Sequence, residues 1–133
     1  MLFMGGKVAV MVIENNERKV LLMLRDDIPT ITYPNHWGFI GGHIEPGETP
    51  RKAVKREIME ELCFNIKKFL FFKLYHFKDI ESSYVFYTKG NYKLNDFQLQ
   101  EGQKINFFSK EESKKIKIAL EDKKILQDYF DNI

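Results

Sequence analysis

Residues 37–64 read WGFIGGHIEPGETPRKAVKREIMEELCF, and this stretch decides the fold. A short apolar strand, Trp37 to Ile40, runs into the paired glycines Gly41 and Gly42. A loop from His43 to Glu48 follows, with a sharp turn at Pro46-Gly47. Thr49-Pro50 starts a helix: a hydroxyl caps it, and proline takes a first-turn position whose N–H has no intrahelical partner anyway. Val54, Ile58 and Leu62 recur every four residues and give this helix an apolar stripe that ends near Cys63. Another face carries Glu57, Glu60 and Glu61. At about 100° per residue these three fall within one arc of about 100°. Ala53 shares that arc, and its small side chain is expected to leave room beside the carboxylates.

Three clustered carboxylates repel one another, and any that are buried take up a proton unless a cation neutralises them. A hard divalent cation with oxygen ligands is the natural partner, magnesium first, with manganese possible and calcium less suited to a site that must keep waters and bind phosphate. The same residues could also form a solvated acidic face balanced by Lys52, Lys55 and Arg56. The preceding loop favours a site. Gly41 and Gly42 permit close backbone approach, and a helix N-terminus favours phosphate.

Outward from this segment the pattern alternates. Lys7 to Ile13 is a Val-rich buried strand, and Glu14 to Glu17 a turn. Lys19 to Leu24 is a second strand, paired with the first as a hairpin. Arg25 to His36, with Pro29 and Pro34, is a long loop. Downstream, Lys67 to His76, Tyr84 to Thr88 and Ile105 to Phe108 read as strands. Ser109 caps a helix with Glu112 in the capping-box position, and Ala119 to Phe130 is an amphipathic helix. Strands and helices in this order predict a single α/β domain over residues 1–133, a mixed sheet between helices.

Composition excludes several classes. With 133 residues, 44% hydrophobic and 14% aromatic, the chain can bury a core. Its one cysteine, Cys63, excludes an intrachain disulfide framework and a multi-cysteine zinc site. Net charge is only +2, which disfavours nucleic acid as a partner. No apolar stretch reaches the ~18 residues of a membrane span, and the opening Met1-Leu2-Phe3-Met4 is too short for a signal peptide. A cytoplasmic protein is expected. A homodimer fits the apolar surplus of the aromatic strands and tail.

The central segment resembles the Nudix box. Gly42, five residues, Glu48, seven residues, then Arg56-Glu57-Ile58-Met59-Glu60-Glu61-Leu62-Cys63-Phe64 match its defined positions except one. Cys63 stands where that family has glycine. Trp37 to Gly42 is similar to the family's strand leading into paired glycines, with Ile40 where many members have proline. The resemblance implies an α/β/α sandwich and cleavage of a nucleoside diphosphate linked to a further group. It implies metal binding by Glu57, Glu60, Glu61 and the Gly42 carbonyl, and an Arg56–Glu48 salt bridge that orients the glutamates. It also implies that Glu101, in a loop before the strand that precedes the last helices, serves as a metal ligand or general base. Glu60, Glu61 and Glu101 are the candidate bases, and a solvated loop acid remains an equal reading of Glu101.

Other candidates rest on position alone. Gly41, Gly42 and His43 could meet phosphate, as could Arg25, and Tyr33 could stack on a base. Core packing suits Trp37 and Phe39 better. Cys63 could hold a left-handed cap at a cost of roughly 1–2 kcal/mol. The substrate class stays open between nucleoside triphosphates and conjugates such as ADP-ribose or nucleotide sugars. A domain that senses a nucleotide without cleaving it is the alternative.

Overall fold

The computed structural model describes residues 6–78 and 80–133, without the side chains of Ile80 and Glu81. Met1 to Gly5, the segment read above against a signal peptide, lie outside the described residues. Seven strands form one mixed sheet: β1 (Lys7–Glu14), β2 (Val20–Leu24), β3 (Trp37–Gly38), β4 (Ile40–His43), β5 (Leu70–Phe77), β6 (Ile80–Lys89) and β7 (Lys104–Phe108). Helix α1 (Pro50–Leu62) follows β4, and α2 (Lys110–Ser113) and α3 (Leu120–Asn132) close the chain.

The hairpin expected between the first two strands forms, with Glu14 opposite Val20. Most of β1 pairs elsewhere: antiparallel to β4 from Val8 to Met11, and parallel to β6 along its whole length. β1 is therefore central, and both of its faces are covered. Ala9, Met11 and Ile13 pack with Ala53, Val54, Ile58 and Leu62 of α1. Val10 and Val12 point the other way, to Ile125, Leu126, Tyr129 and Phe130 of α3. Alternation with period two sends successive side chains to opposite faces, so a strand buried on both sides reads as an unbroken apolar run. Each buried Val, Leu, Ile, Met or Phe side chain among these contributes roughly 1.5–3 kcal/mol. The result is a helix–sheet–helix sandwich, as the sequence implies.

Three boundaries differ from the sequence reading. The Trp37–Ile40 strand splits at Phe39: β3 pairs with β2, whereas β4 crosses to β1. Lys67 to Phe69 precede β5 rather than belonging to it, and β6 begins before Tyr84. The apolar tail is also less of a surplus than its composition suggests, since Ile125, Leu126, Tyr129 and Phe130 fill the second core. Exposed apolar groups concentrate on the outer strand β5, at Leu70, Phe71 and Leu74. Among the described residues no helix is long and apolar enough to cross a membrane.

Candidate active site

α1 begins as its sequence dictates. The Thr49 hydroxyl accepts from the Lys52 amide at 3.2 Å, and Pro50 occupies the first turn. It ends at Cys63, which adopts the left-handed conformation (φ 52°, ψ 38°), with its N–H donating to the Met59 carbonyl. The conformation suited to glycine is thus kept with a side chain in place, and that side chain is exposed. Two of the carbonyls that a helix end leaves open are taken by the loop before β7. Gln98 N–H donates to Leu62 and Gln100 N–H to Glu61, both at 2.9 Å. Gln103 N–H anchors the far side of that loop to Leu24 at 2.8 Å. Glu101 is therefore strapped across the end of α1.

Arg56 is the organising cation. It grips Glu48 with two bonds, Nε to Oε2 at 2.6 Å and Nη2 to Oε1 at 3.0 Å, and Nη2 also donates to the His43 carbonyl at 3.0 Å. Its Nη1 reaches Glu57 at 3.0 Å and Glu60 at 3.3 Å. One guanidinium thus ties loop to helix and aims two glutamates, in the planar fork geometry that lysine lacks. The bond from Arg56 holds the Glu48 carboxyl at about 2.

Glu57 and Glu61 are buried, at 2% and 5% exposure, whereas the Glu60 side chain is about half exposed. Burial pushes the Glu57 carboxyl up against the pull of Arg56, and the charges of Glu60 and Glu101 add to the rise. Burial, then the charges of Glu57 and Glu101, push Glu61 up to about 8, opposed by an N–H from Gly41. Glu57 Oε2 and Glu61 Oε2 are buried without a hydrogen-bond partner. Gly42 lies against Glu57: a Cβ there would sit 2.5 Å from the Glu57 carboxyl carbon. A Cβ at Gly41 would collide with the backbone of Ala9 and Val10.

Orphaned buried carboxylate oxygens, crowded by like charge, are what a hard cation would satisfy, and the all-oxygen donor set suits magnesium or manganese. Among the described residues no three His, Cys, Asp or Glu side chains are already gathered as a metal cage. Glu60 turns to Arg56 instead.

The remaining candidates divide. Arg25 is buried, donates from Nε to the Thr32 carbonyl at 2.8 Å, and sits in the field of Asp122, Glu61, Asp26 and Glu101. It thus joins the carboxylate group electrostatically. His43 contributes its carbonyl to Arg56. Tyr33 stays in the long loop, its ring tilted on His36 at 5.4 Å. Trp37 and Phe39 are packing residues, Trp37 edge-on to Phe108 at 4.8 Å and Phe39 2% exposed. Ala53, expected to leave room beside the carboxylates, is fully buried in the core beneath α1.

The sequence reading missed Asp122. It is half-buried, packed against Gly38, and accepts from the Phe39 amide at 3.3 Å. Burial pushes its carboxyl up to about 7, against that N–H and the charge of Arg25. Nothing in sequence marks it, because an acid in the first turn of an amphipathic helix ordinarily reads as exposed and dipole-favoured.

The fold and its carboxylate helix define the class: a Nudix-type α/β/α sandwich. The NUDIX domain family pattern matches residues 5–129, so this chain belongs to the NUDIX family. It is 41% identical over 51 residues to nucleoside triphosphatase NudI of Enterobacter sp. (strain 638), covering 38% of this chain and 35% of that protein. The chain thus aligns with about a third of the length of such curated relatives. Among solved structures it is similar to MutT from work on Aliivibrio salmonicida and Vibrio cholerae, with TM-score 0.79, 17% identity and coverage of 97% and 99% of the two chains. It is also similar to the NUDIX domain of Shewanella oneidensis NrtR complexed with ADP ribose, with TM-score 0.78, 14% identity and coverage of 96% and 87%. At those identities the structures show a shared fold.

Proposed function

We propose that this protein is a magnesium-dependent pyrophosphohydrolase that cleaves a nucleoside diphosphate linked to another moiety, with nucleoside triphosphates as the first substrates to test. The observation that carries this reading is the buried pair Glu57 and Glu61, each with an unpartnered oxygen beside a glycine backbone that admits no side chain.

Glu57, Glu60, Glu61 and the Gly42 carbonyl would hold the cation. Bound there, it supplies positive charge against the phosphates. The protein's own part is positioning and proton transfer. Arg56 fixes Glu57 and Glu60 relative to the loop through Glu48. Gly41 and Gly42 bring backbone close to the diphosphate. Water adds to one phosphorus as the bridging P–O bond breaks, and its proton passes to a carboxylate. Glu101 takes that role best: it is exposed, strapped beside Glu61, and not engaged by Arg56 as Glu60 is. Arg25 stands next to the same charges and balances them.

The test is phosphate and pyrophosphate release from nucleoside triphosphates, dinucleotides, ADP-ribose and nucleotide sugars, with magnesium and with EDTA. Magnesium-dependent turnover of one class is expected. Nucleotide binding without turnover of any class would replace this reading with a sensor domain.

A further inference from the structure

The opposite flank of α1 carries a second charged feature. The start of α1, the residues ahead of β5 and the end of β6 border an open cavity of about 700 Å³, lined by Arg51, Lys67, Lys68 and Lys89 with Phe69, Leu70 and Tyr87. Arg51 lies six and ten residues before Glu57 and Glu61, about 9 and 15 Å along the helix axis, and none of Glu57, Glu60 and Glu61 lines the cavity. The cavity is therefore separate from the carboxylate site.

Three observations bear on what it takes. First, Arg51 is held in place. Its Nη2 donates to the Phe69 carbonyl at 3.0 Å, and its guanidinium lies 4.2 Å from the Phe69 ring centroid. One edge and one face are thus used, and the other N–H groups of the fork are left for a ligand. Second, the lysine segment is fixed, since Thr88 Oγ1 donates to the Lys68 carbonyl at 2.9 Å. Third, among the described residues no acid balances the four cations. Among the described residues none of Arg51, Lys67, Lys68 and Lys89 has a carboxylate within 4.0 Å, although Lys73, on the same hairpin, pairs with Asp128.

Four like charges gathered around one concavity, unpaired, raise the local concentration of anions. The volume falls in the ~300–1,000 Å³ range of small-molecule pockets. Leu70, 61% exposed, and the half-buried Tyr87 supply an apolar wall beside the charges. We propose that this groove is a second ligand site, which binds a free nucleoside polyphosphate through its phosphates, independently of the reaction at the carboxylates.

Calorimetric titration with ATP in EDTA tests it, because without a cation the carboxylate site repels the phosphates. Binding is expected, weakening as salt rises. The double reversal K67E/K89E, at two exposed side chains, should weaken it at least about tenfold, the range in which facing charges act across a site. On the unaltered protein, amide chemical shifts should move at residues 67–70 and 87–89. No binding in EDTA, equal binding by the double variant, or shifts confined to residues 41–43 and 57–61 would each overturn the site. Tighter binding of a short single-stranded oligonucleotide than of ATP would overturn the small-molecule assignment.

Discussion

Replacing Glu61 by Gln should stabilise the metal-free protein, and by an amount that depends on pH. The Glu61 carboxyl is raised from 4.5 to about 8, by burial first and then by Glu57 and Glu101. For an acid raised on folding, the native state holds the proton longer than the unfolded chain does. Its contribution to stability is therefore full below about 4.5 and is lost as pH rises toward 8. Each pH unit between those limits costs about 1.36 kcal/mol. Between pH 5 and pH 7 the integrated loss is about 2.5 kcal/mol, once partial ionisation of the unfolded carboxyl at pH 5 is counted. Glutamine keeps an oxygen for the Gly41 N–H and does not titrate. Urea unfolding in EDTA at the two pH values should show the advantage of E61Q over the parent growing by about that amount. Magnesium should shrink the difference, since a cation that binds only the folded parent offsets the buried charge. A flat or falling difference in EDTA would refute the assignment of Glu61 as a buried, charge-crowded acid.

Cys63→Gly should raise stability by about 0.5–1 kcal/mol in urea unfolding: relief of the left-handed strain, roughly 1–2 kcal/mol, exceeds the added chain entropy of glycine, roughly 0.4–1 kcal/mol. Turnover should persist, because the Cys63 side chain is exposed. Gly42→Ala should cut kcat by on the order of 100-fold with the far-UV circular dichroism unchanged, because its Cβ displaces the Glu57 carboxylate from 2.5 Å. Asp122→Asn should gain stability over the parent by about 2–3 kcal/mol between pH 5 and pH 8, as the desolvated acid of the parent, raised from 3.8 to about 7, ionises. Magnesium should leave that difference unchanged, unlike the one at Glu61.

What could be read from sequence was what spacing encodes. The Thr49-Pro50 start, the Val54–Ile58–Leu62 stripe and the Arg56 to Glu61 cluster all follow from one helical period, and all appear where that period puts them. The strands were legible as runs but not as partners. Nothing in Trp37-Gly38-Phe39-Ile40 says that the chain leaves β2 and crosses to β1 at Phe39, because pairing is settled by contacts distant in sequence. The same limit hid Asp122. Its close packing depends on Gly38, 84 positions earlier, having no side chain to displace it. Glu101 was visible only as a position; the amides of Gln98 and Gln100, which bind it to the end of α1, have no sequence signature.

These parts also explain why the carboxylates lie on α1 rather than on a loop. The helix shares its stripe with the main core, so Glu57 and Glu61 are buried by the same packing that sets Ile58 and Leu62 at 0% exposure. A loop could present three acids without that desolvation, and their carboxyls would then stay near ordinary values and need no cation. The stripe supplies the stability that tolerates two strained acids, and Arg56 limits the strain by reaching Glu57 and Glu60 at once. Removing Arg56 would therefore do more than loosen the loop. It would raise Glu57 further and leave the site more dependent on the cation, so the core and the site cannot be altered separately on this helix.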